Sequence, residues 1–147
     1  MTTAQGDADA ASGIRYSDRH QELDFAAIRD WLASTYWSPG ISRALVERSF
    51  VNSRLVIGAF VGAQQVGVAR GVTDTVRFGY IADVFVDAAW RGRGIARTMV
   101  ARLIGHPDAA PVTRWMLGTR DAHEVYRPLG FGPLAHPERW MERVGPS

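Results

Sequence analysis

The feature that most constrains the fold of this chain is a β-prone run that ends in a glycine-rich turn and continues at once into a helical pattern. Residues 83–86 form the end of the run, Gly92 and Gly94 lie in the turn, and the helical pattern begins at Ile95. The first backbone N–H groups of a helix lack helical partners, and the helix dipole adds partial positive charge there. Glycine lets a ligand approach the backbone closely because it has no Cβ. The segment therefore predicts a binding site for a phosphate-bearing ligand.

Three kinds of phosphate loop are candidates for this turn. A Walker A loop needs a lysine after its second glycine, and all 17 basic residues of the chain are arginines. The dinucleotide fingerprint G-x-G-x-x-G begins at Gly92 and Gly94, but Arg97 stands where the third glycine permits close packing of helix on strand. The third pattern, [Arg/Gln]-x-x-Gly-x-[Gly/Ala], is met by Arg91, Gly94 and Ala96. This third pattern is the one that the turn satisfies.

The rest of the chain predicts one α/β domain, a mixed sheet with flanking helices in the order β-α-α-β-β-β-α-β-α-β. Apolar spacing and turn residues predict helices over residues 24–33, 41–51, 95–105 and 122–129. Short β-prone runs between turn signals predict strands over residues 14–17, 55–61, 66–73, 77–86, 112–119 and 139–144. Residues 14–147 are expected to form this single domain. Residues 1–13 are small, polar and acidic, and are expected to form a disordered tail.

The turn and its surroundings resemble the GNAT superfamily, the acyl-CoA-dependent N-acyltransferases. Residues 91–96 resemble the pyrophosphate loop of that family, with its fourth strand before the loop and its third helix after it. Downstream, Ala122-x-x-x-Tyr126-x-x-x-Gly130-Phe131 resembles the second signature of the family. The two signatures stand in the right order, and the predicted elements match the GNAT order after residue 13. The resemblance implies a GNAT-like fold, acetyl-CoA as cosubstrate and transfer of an acetyl group to a primary amine.

The resemblance also implies a set of cofactor contacts. Acetyl-CoA would lie between two splayed strands, here residues 77–86 and 112–119, with its pyrophosphate wrapped by backbone N–H groups of the loop. Arginine side chains at the loop would add charge in a geometry that suits phosphate. Thr119 stands where the family often has asparagine, which weakens one expected polar contact. The implied cofactor-binding residues are Val84, Phe85, Val86, Arg91, Gly92, Arg93, Gly94, Ile95, Ala96, Arg97, Thr119 and His123.

Two side chains are candidates for catalysis. Tyr126 stands where the family places its general acid, and a phenol can protonate a departing thiolate; its alternative role is packing against Phe131. Asp83 interrupts an apolar stripe that strand alternation predicts for Ile81 and Phe85. A buried carboxylate there would accept a proton from an ammonium substrate or hold that cation. The alternative is a carboxylate that bonds to neighbouring backbone.

The acceptor is expected to be a primary amine. Tyr36 and Trp37 lie in the link between the first two predicted helices, where the family walls its acceptor pocket, and aromatic faces attract cationic amines. A small-molecule amine is the first expectation, and a protein or peptide amine is the second. The competing class is a non-catalytic acyl-CoA-binding regulatory module. A homodimer is left open, because relatives of the family frequently dimerise.

Composition argues against several other functions. The net charge is +2 with scattered arginines, which disfavours nucleic-acid binding. No cysteine is present, which excludes disulfides and an acyl-cysteine intermediate. The four histidines, His20, His106, His123 and His136, show no metal-ligand spacing, so no metal is expected. No apolar run reaches the ~18 residues of a membrane span, and the first residues do not resemble a signal peptide. A cytoplasmic location is expected.

Overall fold

A computed structural model describes residues 13–146 of the chain. The strands are β1 (Arg15–Ser17), β2 (Leu55–Val61), β3 (Gln64–Thr73), β4 (Gly79–Val86) and β5 (Trp115–Met116). The helices are α1 (Phe25–Ala33), α2 (Arg43–Val51), α3 (Ile95–Ile104) and α4 (His123–Tyr126). The predicted tail, residues 1–13, lies outside the described residues except for Gly13.

The strands form one mixed sheet, in the order β1-β2-β3-β4-β5, with helices on both faces. All neighbours are antiparallel except β4 and β5, which are parallel. Met99 and Leu103 of α3 pack in the core on one face, and Ile28 of α1 and Phe50 of α2 pack in the core on the other. The predicted fold class is therefore confirmed. Among residues 13–146, no helix is both long enough and apolar enough to cross a membrane.

A β-bulge changes the course of β4. Between two successive ladder pairs with β3, β4 contains one residue more than its partner, and Asp83 at this point has a φ of +54°. The bulge reverses the alternation of side chains along the strand. Ile81 packs in the core beside α3, whereas Phe85 packs against the core beneath α1 and α2. The expectation that Asp83 shares one face with both Ile81 and Phe85 is therefore wrong.

Strand β5 is much shorter than predicted. The sequence pattern predicts a strand over residues 112–119, but pairing with β4 is confined to Gly79–Trp115 and Tyr80–Met116. The bulge lies in the part of β4 that follows these two pairs. Residues 117–119 have no ladder partner on β4. The two strands therefore diverge toward the end of β4 that leads into the glycine-rich turn.

The final predicted strand, residues 139–144, is wrong. A single helical turn spans Pro137–Arg139, and residues 140–146 have no regular structure. Met141 is 97% exposed and Val144 is 82% exposed, and of the apolar residues in this segment only Trp140, at 41% exposed, is partly buried. A strand needs a paired neighbour, and the two-residue β5 offers too short an edge.

Gly79 of β4 pairs with Trp115 of β5, and this pair yields a stability prediction. A Cβ on Gly79 would lie 2.3 Å from ring carbons of Trp115. We expect Gly79→Ala to lower the free energy of unfolding by about 2 kcal/mol, because the indole has to shift within a packed interior. Gly71→Ala is the matched control, since a Cβ there would make an ordinary 3.7 Å contact with the same indole. Urea unfolding measures both, and equal destabilisation of the two variants would contradict the prediction.

Candidate active site

The divergence of β4 and β5 opens a cleft at the N-terminus of α3. This cofactor cleft has a volume of about 840 Å³. Most residues of the predicted cofactor set line it: Val84, Phe85, Val86, Arg91, Gly92, Gly94, Ile95, Ala96 and Arg97. The other predicted members, Arg93, Thr119 and His123, do not line this cleft. The end of β4 and the glycine-rich loop therefore meet at one cleft, as the sequence pattern predicts.

The glycine-rich loop presents its backbone to the cofactor cleft. Gly92 and Gly94 have φ values of +80° and +77°, a region that glycine adopts without the steric cost of a Cβ. Gly94 is also the N-cap of α3, and the first helical bond runs from the Thr98 N–H to the Gly94 carbonyl at 3.0 Å. The N–H groups of residues 95–97 therefore have no carbonyl partner within the helix. They form a donor set of the kind that binds an anion.

Two arginines of the loop use their side chains to hold its shape. Arg91 donates from Nε to the Val86 carbonyl at 2.9 Å, and its guanidinium lies 5.1 Å from the centre of the Phe85 ring. Arg93 lies 4.5 Å from the Trp90 ring centre. Both contacts fasten the loop to nearby residues while leaving positive charge close to the cleft. Arg91 therefore connects the loop to the end of β4.

A second cavity of about 440 Å³ adjoins the cofactor cleft, and we call it the acceptor cavity. Tyr36, Trp37, Asp83 and Tyr126, all predicted site residues, contribute to its walls. Six residues line both spaces: Tyr36, Trp37, Val84, Asp121, Ala122 and Tyr126. The two cavities therefore meet, and Tyr126 lies at their junction.

Tyr126 is held firmly at this junction. Its side chain belongs to α4, only 8% of the residue is exposed, and its ring packs edge-on against Phe131 with a centroid distance of 6.2 Å. Burial, with a smaller contribution from nearby Tyr36, raises the pKa of Tyr126 to about 12. The phenol therefore keeps its proton throughout the neutral range. Packing against Phe131 and a place at the junction are both features of the structure.

Thr119 and His123 line spaces beside the cofactor cleft. Thr119 Oγ1 accepts a hydrogen bond from the Ala122 N–H at 3.0 Å, which fixes the approach to α4, and the residue lines the acceptor cavity. His123 begins α4 and lines a third space of about 390 Å³, beside Phe131 and Leu134. Their expected contacts with the cofactor remain predictions.

Tyr36 and Trp37 form an aromatic corner of the acceptor cavity. Their rings meet edge-to-face with centroids 5.0 Å apart. The Tyr36 hydroxyl accepts from the backbone N–H of Arg120 at 2.9 Å, and the Arg120 guanidinium lies 3.9 Å from the Tyr36 ring centre. Trp37 donates from Nε1 to Asp83 Oδ1 at 2.9 Å. These contacts connect the link between α1 and α2 to the sheet and to the segment before α4.

Arg70 is the site residue that sequence reasoning missed. It lies on β3 and lines the acceptor cavity, and its Nε donates to Asp83 Oδ2 at 2.7 Å. A signal was available, because an arginine interrupts the apolar run of β3 just as Asp83 interrupts that of β4. Opposite charges on adjacent strands of a hairpin are natural partners. Arg120 is a second site residue that sequence reasoning missed, and the sequence offers no comparable signal for it.

The described residues offer no obvious metal site. Within residues 13–146, no group of three or more His, Asp or Glu side chains is arranged to hold a metal ion. The charged groups that line the acceptor cavity are Arg70, Asp83 and Asp121. Arg70 pairs with Asp83 at 2.7 Å, and Asp121 pairs with the neighbouring Arg120 at 3.5 Å, so the charges around the cavity are balanced.

Comparison with known proteins identifies the family. Residues 16–131 match the acetyltransferase (GNAT) family. The chain belongs to the GNAT acetyltransferase family. The predicted resemblance to the GNAT superfamily is thereby confirmed. Membership of this family indicates acyltransferase activity. Among curated proteins, none matches the chain in sequence.

Solved structures of GNAT acetyltransferases share the fold. A protein from Xanthomonas campestris pv. campestris assigned to this family is 37% identical, with a TM-score of 0.85, over 90% of this chain and 94% of that chain. A predicted acetyltransferase from Clostridium acetobutylicum, determined with acetyl-CoA, is 20% identical, with a TM-score of 0.67, over 89% and 96% of the two chains. Glucosamine-6-phosphate N-acetyltransferase from Arabidopsis thaliana is 14% identical, with a TM-score of 0.64, over 89% and 97%. The last two show similarity of fold alone.

Proposed function

We propose that this GNAT protein transfers the acetyl group of acetyl-CoA to the primary amine of a small molecule, by direct attack while both substrates are bound. The observation that carries the proposal is the junction of the cofactor cleft and the acceptor cavity at Tyr126. A thioester in one space and an amine in the other would meet beside a buried phenol. The chain has no cysteine to carry the acetyl group in a covalent intermediate, which favours direct transfer.

The residues of the cofactor cleft fit the parts of acetyl-CoA. The N–H groups of residues 95–97 and the positive charge of Arg97 suit the pyrophosphate. The pantetheine arm would lie along Val84–Val86, on the side of β4 from which β5 has diverged. A relative that shares the fold was determined with acetyl-CoA, which supports this cosubstrate.

In the proposed reaction, the lone pair of the neutral amine forms a bond to the thioester carbonyl carbon as the carbon–sulfur bond breaks. The departing thiolate takes the proton of the Tyr126 phenol, and the phenolate regains a proton from the acylated nitrogen, directly or through water. The raised pKa makes the phenol a weaker acid. The same exclusion of water also makes the thiolate more basic, since desolvation disfavours both anions. Holding the two substrates in contact supplies much of the rate enhancement.

The acceptor cavity supports a small amine rather than a protein side chain. Its volume of about 440 Å³ lies within the usual range for small-molecule sites. Its aromatic corner suits a protonated amine, which must lose a proton before attack. Three of its walls, Tyr36, Tyr80 and Tyr126, also offer hydroxyl groups that could orient polar substituents.

The first test is thermal unfolding with and without acetyl-CoA, using ATP and NAD as controls. At about 100 times its dissociation constant, a ligand stabilises the folded state by about 2.7 kcal/mol, so we expect the melting temperature to rise with acetyl-CoA alone. A panel of small amines and lysine-containing peptides is then assayed for release of free thiol. We expect release with one or more small amines.

Other outcomes would point elsewhere. Stabilisation by NAD instead of acetyl-CoA would indicate that the glycine-rich loop binds a dinucleotide. Stabilisation by acetyl-CoA without thiol release from any amine would favour a non-catalytic binding module. Release with peptides alone would assign a protein or peptide acceptor.

A further inference from the structure

A chain of polar contacts runs from the end of α2 to the aromatic corner of the acceptor cavity. Ser53 is buried, and its hydroxyl donates a hydrogen bond to the Ser49 carbonyl at 2.6 Å. The same hydroxyl accepts a hydrogen bond from Arg70 Nη1 at 3.1 Å. Arg70 Nε in turn donates to Asp83 Oδ2 at 2.7 Å. Trp37 Nε1 donates to Asp83 Oδ1 at 2.9 Å. Each oxygen of the Asp83 carboxylate therefore has a partner of its own.

The backbone of Asp83 directs its side chain into this chain of contacts. Its φ of +54° is a conformation that residues with a Cβ rarely adopt, and it occurs at the bulge of β4. Such a conformation persists where surrounding contacts stabilise it. The Asp83 side chain is 8% exposed, and that of Arg70 is 20% exposed. The ion pair is therefore shielded and fixed in place.

Trp37 depends on this carboxylate for its position. It lies in the link between α1 and α2, outside any helix or strand, and it is 43% exposed. Its indole N–H reaches across to a residue 46 positions later in the chain. Besides the edge-to-face contact with the adjacent Tyr36 ring, the bond to Asp83 orients this partly exposed indole and ties it to the sheet.

We propose that Asp83, held by Arg70, is a positioning residue that fixes the Trp37 indole as a wall of the acceptor cavity and thereby sets the affinity for the amine. The inference rests on the proposed function, and it gives Asp83 a task other than proton transfer. The glycine-rich loop is not part of the contact chain, although Trp37 also lines the cofactor cleft. The effect on the enzyme is therefore expected to be larger for the amine than for acetyl-CoA.

The test removes each end of the contact separately. Asp83→Gly deletes the carboxylate but accommodates the positive φ, and Arg70 keeps its bond to Ser53, so the fold is preserved. Trp37→Phe keeps an aromatic ring but deletes the N–H donor. The matched control is Trp140→Phe, because Trp140 is 41% exposed and lies outside both cavities.

Steady-state kinetics provide the first readout. We expect Asp83→Gly and Trp37→Phe each to raise the KM for the amine about tenfold, with a clearly smaller change in the KM for acetyl-CoA. The double variant should be no worse than either single variant, because both changes break the same contact. Trp140→Phe should behave as the wild type. Additive effects, or an unchanged KM for the amine, would overturn the inference.

The indole N–H signals in a proton–nitrogen NMR spectrum provide a second readout that needs no turnover. The chain has five tryptophans, and the signal lost in Trp37→Phe identifies Trp37. We expect Asp83→Gly to shift this signal and to leave the Trp140 signal in place. A Trp37 signal that does not move would overturn the inference. A wild type without acetyl transfer would instead refute the proposed function, and the NMR result would still decide whether Asp83 holds Trp37.

Discussion

Replacing Tyr126 with phenylalanine is expected to lower kcat by about 10²–10⁴-fold, the usual contribution of a positioned general acid. The substitution removes one hydroxyl and keeps the ring that packs against Phe131 at the junction of the two cavities. We therefore expect the affinity for acetyl-CoA, measured by calorimetry, to stay within about threefold of the wild type. Turnover is measured as release of free thiol with a saturating amine.

Tyr16→Phe is the matched control for this experiment. Tyr16 is also a tyrosine whose pKa burial raises, but it lies on β1 and lines neither the cofactor cleft nor the acceptor cavity. We expect its replacement to leave kcat unchanged. If Tyr126→Phe behaved like Tyr16→Phe, the assignment of Tyr126 as the acid would fail, and its role would be packing alone.

The pH dependence of kcat gives the same variant a second readout. The raised pKa of about 12 means that the Tyr126 phenol keeps its proton to a higher pH than free tyrosine, whose pKa is about 10. Loss of the acid should therefore begin to lower kcat only above about pH 10. Titration followed by tyrosinate absorbance should show a smaller phase above that of free tyrosine in Tyr126→Phe than in the wild type, because Tyr16, whose pKa burial also raises, contributes in both proteins.

Placing a negative charge in the glycine-rich loop is expected to weaken acetyl-CoA binding by about 100-fold. Asp tolerates positive φ better than most residues, so Gly92→Asp can keep the loop conformation at a φ of +80°. The new carboxylate would stand beside the pyrophosphate that the N–H groups of residues 95–97 are proposed to bind. At an effective dielectric constant near 20, like charges ~4 Å apart repel by about 4 kcal/mol. The exposure of the loop reduces this repulsion.

Gly92→Asn is the control that separates charge from shape. Asparagine has almost the same size as aspartate and also tolerates positive φ, so we expect its dissociation constant to lie within about threefold of the wild type. The difference between the two variants should shrink as salt is added, because screening weakens repulsion between exposed charges. Equal losses in both variants would mean that side-chain bulk, not charge, disturbs the loop.

The parts of the site that depend on local sequence were predictable. The strand end, the glycine turn and the start of α3 follow one another along the chain, and their side-chain and backbone requirements can be read within about a dozen residues. Helix α3 accordingly begins at the predicted Ile95 and ends one residue before the predicted end. The helical segment that carries Tyr126 was predicted in the same way, because its motif and its short helix are contiguous.

The parts that depend on pairing between distant segments were not predictable. The bulge at Asp83 is a property of the register between β3 and β4, and strand alternation alone predicts the wrong face for its neighbours. The Arg70–Asp83 pair depends on that same register. The final strand failed for a related reason, since the short β-prone run over residues 139–144 becomes a strand only if a sufficiently long edge is available to pair with it.

The short attachment of β5 bears on how such an enzyme can change its substrate during evolution. The aromatic corner lies in the link between α1 and α2, and the opposite wall comes from residues 117–122, which follow the two paired residues of β5. Both segments lie outside the regular ladder, where insertions and substitutions are best tolerated. The loop proposed to bind pyrophosphate and the packed strands beside it stand apart from these two segments. Under the proposed function, substitutions in these two segments would change which amine is accepted, while the glycine-rich loop proposed to bind the acetyl donor is inherited unchanged.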